Sequence, residues 1–381
     1  MDTGRAEDLL AQLVAVDTTS ARSNLAAIER LESALARPGV GLRRFPSPDG
    51  LKANLFVRVG PEVDPDTRAG LVLCGHTDCV PAGEPEWTVE PFALTDRGDR
   101  WLGRGTADMK GFVALAAALV AETELSSLRA PLCLLFTYDE EVGMHGAREL
   151  LRQWPAGEAL PRACVIGEPT SLHVVRMHKG HVKLRVTLHG KTAHSGTPQF
   201  GDNAIEKAGA VVAALRALRL ALEEERPEMG EFFPEAPFVP LNVASIAGGV
   251  AINVVPDLCA LELGFRPLPG ADVGALRDRV EKAIHAAVPT ATIEPAGFSE
   301  PLLTGESSPI YRALCKRMGQ TASRGAPFAT DGGPLSKLDL DLVVWGPGSI
   351  EIAHRADEWL PKADFRRCAE LLPGLVDKFC R

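Results

Sequence analysis

Short apolar segments that end in polar residues recur along the chain, and this pattern restricts the fold more than any other feature. The segments with the length of buried β-strands are residues 53–60, 70–76, 130–141, 163–170 and 341–348. Helical periodicity in residues 6–36 and a continuous apolar run in residues 109–122 predict helices around them. Buried strands that alternate with helices predict an α/β domain with a largely parallel sheet.

Residues 178–298 follow a different pattern. Residues 181–190 alternate apolar and polar side chains, which is typical of an antiparallel sheet with one exposed face. The later segments predict a helix at 203–222, strands near 241–247 and 257–266, a helix at 272–287 and a strand near 291–296. This β-α-β-β-α-β order predicts a ferredoxin-like α+β domain at 178–298, inserted into an α/β domain of residues 1–177 and 299–381.

Composition and charge exclude some classes of function. A chain of 381 residues exceeds what one hydrophobic core usually supports, in agreement with two domains. The net charge of −9 argues against a nucleic-acid or anionic-membrane surface. No apolar run approaches the ~20 residues of a membrane span, and the first residues lack a signal-peptide pattern. We therefore expect a cytoplasmic protein that binds neither membranes nor nucleic acid.

The chain has eight cysteines and no C-x-x-C pair. Cys74, Cys133, Cys164 and Cys259 lie within apolar, strand-like runs. Buried reduced thiols are the main interpretation, and a cysteine nucleophile or a cysteine-ligated zinc is the alternative.

Acidic and histidine side chains lie just after the predicted strands or at the start of a helix. They are His76, Asp78, Asp108, Glu140, Glu141, Glu168 and His354. Because ligands of open α/β sheets bind outside the carboxyl ends of the strands, we expect these side chains to converge. Histidines and carboxylates suit zinc and related divalent ions. There are more carboxylates than one tetrahedral zinc needs, which favours two metal ions that share a carboxylate.

Two further roles follow from position. Asp78 is placed to orient the imidazole of His76. The adjacent pair Glu140 and Glu141 suggests one metal ligand and one general base. Each residue also has an ordinary alternative: Asp108 as a helix cap, the glutamate pair as a solvated turn, and Glu168 as a loop acid.

The ordered motifs resemble the M20 metallopeptidase family. They are GHTDCVP (75–81), GRGTADMKGF (103–112), TYDEEVG (137–143), IGEPTSL (166–172), HKGHV (178–182), HSGTP (194–198), GFRPLPG (264–270) and WGPGSIEIAHRADEWL (345–360). The resemblance covers nearly the whole chain. It implies a hydrolase that uses two divalent metal ions, zinc with cobalt as a substitute, to cleave the amide bond of a small N-acylated amino acid.

The resemblance also implies a role for each site residue. His76, Asp108 and Glu168 would hold one ion, and Asp108, Glu141 and His354 would hold the other. Glu140 would be the general base, with Asp78 as the partner of His76. A cis peptide bond is implied between Asp108 and Met109.

For residues 178–298 the resemblance implies a lid that closes over the site and mediates homodimerisation. His194 would reach the active site of the partner subunit, and Asn253 and Arg266 would bind the α-carboxylate of the substrate. The ordinary alternatives are that His194 caps a turn and that Arg266 pairs with a carboxylate of the lid.

Among N-acyl amino acids, the resemblance favours acetylated ornithine as the substrate. The alternatives are acetylated citrulline, succinylated diaminopimelate and other acylated amino acids. An alternative of a different class is a metal-stabilised protein that binds such a molecule without cleaving it. The presence of Glu140 argues against that alternative, and the absence of a G-x-S-x-G motif argues against a serine hydrolase.

Overall fold

The structure is a computed structural model that describes Met1–Arg381, and the chain divides into two compact units. The first unit comprises Met1–Met177, Thr304–Arg324 and Thr330–Arg381, and the second comprises His178–Leu303 and Gly325–Ala329. The first division falls where the sequence pattern changes. Residues 299–303 and 325–329, which the sequence assigned to the α/β domain, lie with the second unit.

A six-stranded, largely parallel sheet lies at the centre of the first unit, and the predicted α/β architecture is confirmed. In spatial order its strands are Val40–Pro46, Ala53–Val59, Leu132–Thr137, Leu71–His76, Ala163–Ile166 and Asp341–Val344. The last four pair in parallel, and antiparallel pairings join the first two to them. Every residue of Leu71–His76 and Leu132–Thr137 is buried, which explains why these segments are continuously apolar.

Helices cover this sheet. They are Thr3–Val14, Leu25–Leu35, Gly111–Glu122, His145–Gln153, Pro309–Met318, Gly332–Leu335 and Lys362–Phe379. Gly111–Glu122 is apolar around its whole circumference because it packs between the strands and the helices Thr3–Val14, Leu25–Leu35 and Lys362–Phe379. The periodic stretch at 6–36 forms two helices, separated by a polar segment that includes Ser20.

The second unit contains the predicted ferredoxin-like arrangement. Its antiparallel sheet has the order Leu241–Gly248, Leu258–Phe265, His181–His189, Thr292–Ser299, and its helices are Ala204–Glu224 and Val273–Ala287. Alternate residues of His181–His189 are buried, as the alternating sequence predicts. None of the helices in the structure combines the length and the apolar character that a membrane span requires.

Candidate metal centre

The carboxyl ends of three neighbouring parallel strands carry candidate ligands. His76 is the last residue of Leu71–His76, Glu140 and Glu141 follow Leu132–Thr137, and Glu168 follows Ala163–Ile166. The strand pairings set His76 beside Thr137 and Cys74 beside Ile166. Because these strands end at the same edge of the sheet, their terminal side chains converge there.

Asp108 and His354 reach this edge from irregular segments. Asp108 lies in the turn that precedes the helix Gly111–Glu122, and its φ of −118° and ψ of 93° are not helical. The peptide bond between Asp108 and Met109 is cis, as the resemblance predicts. His354 has a φ of 62°, in the left-handed region.

These side chains form two groups of potential ligands that share Asp108. One is His76, Asp108 and Glu168, and the other is Asp108, Glu141 and His354; the ligand atoms within each group lie within 4.8 Å of one another. Asp108 Oδ1 is 2.9 Å from His76 Nε2, and Asp108 Oδ2 is 3.1 Å from His354 Nε2. The two oxygens of Asp108 thus face different groups, an arrangement in which one carboxylate could serve two metal ions.

The electrostatics of the two groups fit cations. Burial and the charge of Asp108 raise the pKa of Glu168 well above its usual value and also raise the pKa of Glu141. Hydrogen bonds to Asp108 and Glu141 raise the pKa of His354 to about 10. Burial alone would lower the pKa of His76, but its hydrogen bonds to Asp108 and Asp78 raise it well above its usual value. The carboxylates lie close together and keep the neighbouring imidazoles protonated. Such a set of carboxylate and imidazole groups is suited to binding two divalent metal ions.

Glu140 lies at the same edge but belongs to neither ligand group. Burial raises the pKa of Glu140 well above its usual value, and the charge of Glu168 acts in the same direction. A carboxylate with a raised pKa that is not needed as a ligand has the properties of a general base.

Asp78 contacts both His76 and the turn that carries the two glutamates. Its backbone oxygen is 3.0 Å and its Oδ1 is 3.5 Å from His76 Nδ1. Its carboxylate also accepts hydrogen bonds from the backbone N–H groups of Glu140 at 3.1 Å and Glu141 at 3.4 Å, and from the hydroxyl of Ser20 at 2.7 Å. The sequence suggested the first contact but not the second.

Asp331 is a buried acid near the site that sequence reasoning missed. Its Oδ2 accepts a 2.5 Å hydrogen bond from the Thr137 hydroxyl, and its Oδ1 has no partner. Burial raises the pKa of Asp331 to about 6. Because Asp331 precedes a short helix and follows no apolar strand, the strand-end pattern could not find it. Its Thr-Asp-Gly-Gly context was the only signal, and such a context usually marks a helix start.

The second unit brings two of its candidate residues together. The strand Ala193–His194 pairs with Val254–Val255, and the Ser195 N–H donates to the backbone oxygen of Asn253 at 3.0 Å. His194 Nδ1 accepts a hydrogen bond from the Gly196 N–H at 3.0 Å, so the ring does close a local turn.

Arg266 lies apart from His194 and Asn253, directly after the strand Leu258–Phe265. Its Nη1 donates to the backbone oxygen of Pro327 at 3.5 Å. The structure contains no ion pair between Arg266 and a carboxylate of its own unit.

Comparison with known proteins agrees with this geometry. The sequence profile of the peptidase family M20/M25/M40 matches residues 72–378. The chain belongs to this family.

Relatives within the M20 family match over nearly their whole length. The acetylornithine deacetylase of Myxococcus xanthus is 36% identical, over 97% of this chain and 96% of its own. The acetylornithine deacetylase of Yersinia pestis is 35% identical, over 96% and 94% respectively. M20 membership and these relatives identify the protein as a metal-dependent amide hydrolase.

Solved structures of M20 proteins share the fold. The metallo-carboxypeptidase Sso-CP2 of Sulfolobus solfataricus superposes with a TM-score of 0.78 at 18% identity, over 97% of both chains. A dinuclear metal-binding M20 peptidase of Bacillus subtilis superposes with a TM-score of 0.69 at 13% identity, over 98% of both chains. At such identities the likeness concerns the fold alone.

Proposed function

We propose that this M20 hydrolase is a zinc-dependent deacetylase that converts N2-acetyl-L-ornithine into L-ornithine and acetate, a step of arginine biosynthesis. The observation that carries the chemistry is the pair of ligand groups joined through Asp108, with Glu140 beside them and outside both. The choice of substrate is supported by relatives named acetylornithine deacetylase at about 35% identity over nearly the full length.

His76, Asp108 and Glu168 hold one ion in this proposal, and Asp108, Glu141 and His354 hold the other. Cobalt is the expected substitute for zinc, since both accept imidazole and carboxylate ligands. When bound, the two cations supply the Lewis acidity that acidifies water and polarises an acyl carbonyl. Asp78 orients His76 and, through its contacts with two backbone N–H groups, the turn that carries Glu140.

Glu140 moves the protons of the reaction. It accepts a proton from the water that attacks the acetyl carbonyl, and it later delivers that proton to the amine nitrogen as the amide bond breaks. Its partly buried position favours this task, because loss of solvent disfavours the charged carboxylate, raises the pKa and makes it a stronger base.

The second unit supplies the groups that recognise the substrate. Arg266 and Asn253 would bind the α-carboxylate, for which a guanidinium without an internal ion pair is suited. Because the two residues lie apart within one chain, they would come from the two subunits of the proposed homodimer. His194 stabilises the negative charge that develops on the carbonyl oxygen.

The second unit also mediates a homodimer in this proposal, and its exposed apolar side chains support such a contact. These side chains are Ile205, Leu220, Ile246, Val250, Ile252 and Leu258. On the helix Ala204–Glu224 the apolar residues Ala210, Ala213 and Leu220 are exposed, so packing within one chain leaves part of its apolar surface uncovered.

A panel of N-acyl amino acids tests the function. The zinc-loaded protein should hydrolyse N2-acetylornithine with a higher kcat/KM than acetylcitrulline, other N-acetyl amino acids or succinyl-diaminopimelate. Dialysis against a strong chelator should abolish the activity, and zinc or cobalt should restore it. A higher kcat/KM for another member of the panel would replace acetylornithine as the substrate, and full activity without metal would refute the mechanism.

A further inference from the structure

Glu358 is a buried acid that the proposed reaction does not use. Its side chain is 1% exposed, and it lies between His354 and the short strand Trp359–Pro361. Burying a carboxylate is unfavourable unless hydrogen bonds compensate for the lost water. Its hydrogen-bond partners therefore indicate what it does.

Three of these partners are backbone N–H groups of the turn that carries Asp108. Glu358 Oε1 accepts from the Ala107 N–H at 2.9 Å and from the Asp108 N–H at 3.1 Å. Oε2 accepts from the Gly105 N–H at 2.9 Å. The backbone oxygen of Glu358 accepts a further bond from the Gly103 N–H at 2.9 Å. Glu358 thus satisfies N–H groups that an irregular turn leaves without regular backbone partners.

Arg104 connects the Glu358 carboxylate to its surroundings. The guanidinium is fully buried, and its Nη1 donates to Glu358 Oε2 at 3.0 Å. Its Nη2 donates to Glu84 Oε1 at 2.8 Å and to the backbone oxygen of Pro81 at 3.0 Å. Burial raises the pKa of Glu358, whereas the N–H groups and Arg104 oppose that shift. The ionised form is the one that accepts all four hydrogen bonds.

The position of the turn determines how Asp108 serves the two ligand groups. Asp108 directs Oδ1 towards His76 and Oδ2 towards His354 at the same time. A displacement or rotation of the turn therefore changes both contacts together. Glu358 binds the N–H of Asp108 itself and that of the preceding residue, so it controls the backbone from which this carboxylate projects.

We propose that Glu358 is a positioning residue of the metal centre, which holds the turn at residues 105–108 so that Asp108 can join two metal ions. The inference rests on the proposed dinuclear function. It assigns Glu358 no contact with substrate and no proton transfer. Its effect is on metal affinity and on the coupling between the two ions, and both can be measured without turnover.

Glu358→Gln tests the inference, with Glu84→Gln as the matched control. Glutamine has nearly the shape of glutamate but replaces one acceptor oxygen with a donor, so at least one N–H of the turn would face another donor. Glu84 is also a carboxylate partner of Arg104, but it accepts no hydrogen bond from the turn. Both variants lose one negative charge next to Arg104, and only Glu358→Gln disturbs the support of Asp108.

The measurement is cobalt binding to the metal-free proteins, by calorimetric titration, visible absorption and electron paramagnetic resonance. The unmodified protein and Glu84→Gln should bind two cobalt ions with magnetic coupling between them. Glu358→Gln should bind at least one ion about 10- to 100-fold more weakly, the usual effect of removing a group that supports a ligand. The magnetic coupling should weaken as well.

Glu358→Asp is a second variant, used in case Glu358→Gln does not fold. Aspartate keeps the negative charge of Glu358 but has a shorter side chain. Its cobalt affinity should lie between that of the unmodified protein and that of Glu358→Gln, and its folding is checked by circular dichroism. If folded Glu358→Gln or Glu358→Asp binds two coupled cobalt ions as tightly as Glu84→Gln, the inference is overturned. If the unmodified protein binds fewer than two ions, the dinuclear function fails first and the inference fails with it.

Discussion

The neighbouring acids Glu140 and Glu141 have different surroundings although both follow the same strand. Glu141 lies 3.0 Å from His354 Nε2 and belongs to a ligand group, whereas Glu140 belongs to none. Asp78 accepts the backbone N–H of each, so the two side chains leave the turn from fixed positions. Two neighbouring glutamates can thus have different roles because Glu141 contacts His354 and Glu140 does not.

Glu140→Gln and Glu141→Gln form a matched pair that separates proton transfer from metal binding. Glu140→Gln should lower kcat at least ~10²-fold, the lower range for acid–base catalysis, and retain both metal ions. Glu141→Gln should lose metal, because an amide is a weaker ligand than a carboxylate. Metal content by atomic emission and kcat at saturating substrate are the measurements. Loss of metal from Glu140→Gln instead would mean that the two assignments are reversed.

His354 should make the stability of the metal-free protein depend on pH. Its pKa is about 10 in the folded protein, against 6.5 for an ordinary histidine. The stabilisation from protonated His354 is therefore complete below pH 6.5 and is lost as the pH rises from 6.5 through 10. The His354 side chain is 47% exposed, so solvent screening reduces the effect.

Melting temperatures of the metal-free protein and of His354→Gln, measured from pH 6 to pH 10.5, test this dependence. The difference between the two proteins should shrink as the pH rises, and bound zinc should remove the dependence because the metal replaces the proton. Parallel pH profiles would show that His354 does not carry a proton in the metal-free site.

At the scale of elements, the metal centre depends on how closely the helix Gly111–Glu122 approaches the strand ends. Gly167 lies between the strand Ala163–Ile166 and the ligand Glu168. A Cβ atom at Gly167 would lie 1.9 Å from the buried ring of Phe112 on that helix. The strand end can therefore reach the site only because residue 167 has no side chain.

Gly167→Ala should destabilise the protein by about 1–3 kcal/mol, the usual range for overpacking a core, and weaken metal binding through Glu168. Gly209→Ala is the control, because a Cβ atom there meets nothing within 4 Å on the helix Ala204–Glu224. That change should stabilise the protein by roughly 0.5–1 kcal/mol, since alanine is the better helix former. Urea unfolding and cobalt titration measure both effects, and equal stability of the two variants would contradict the packing argument.

At the scale of the whole molecule, the second unit holds His194, Asn253 and Arg266 and none of the seven acidic and histidine residues assigned to the metal centre. It also exposes apolar side chains, and the Ile252 side chain is fully exposed. A second copy of the chain would bury these residues through a two-fold contact. In this proposal the first unit binds the metal ions and carries out the chemistry, and the second unit recognises the substrate and forms the dimer.

Complementation tests whether His194 acts across such a dimer. His194→Ala and Glu140→Gln subunits are each expected to be nearly inactive alone. If His194 serves the partner's site, mixed dimers contain one site with both residues intact and should regain up to about half of the activity per dimer. Analytical ultracentrifugation establishes the dimer, and differently tagged subunits establish mixing. Mixed dimers without activity would restrict His194 to its own chain, and a monomer would remove the dimer proposal.

The sequence by itself determined the α/β class, the ferredoxin-like insertion and the set of residues that gather at the strand ends. These conclusions depend on local patterns, because burial on both faces makes a strand continuously apolar and parallel strands end at one edge. The ordered motifs added the family and the proposed distribution of ligands. The sequence could predict His76, Glu141 and Glu168 as site residues because each lies at or just after the end of a recognisable strand.

Only the tertiary structure decided the contacts that support those residues. Asp331 meets Thr137 across 194 positions of sequence, and Glu358 meets Asp108 across 250. Neither acid follows an apolar strand, so no local period marks them. Their partners are a hydroxyl and backbone N–H groups, which carry no sequence signal, and hydrogen bonds of this kind exist only once distant segments have packed together.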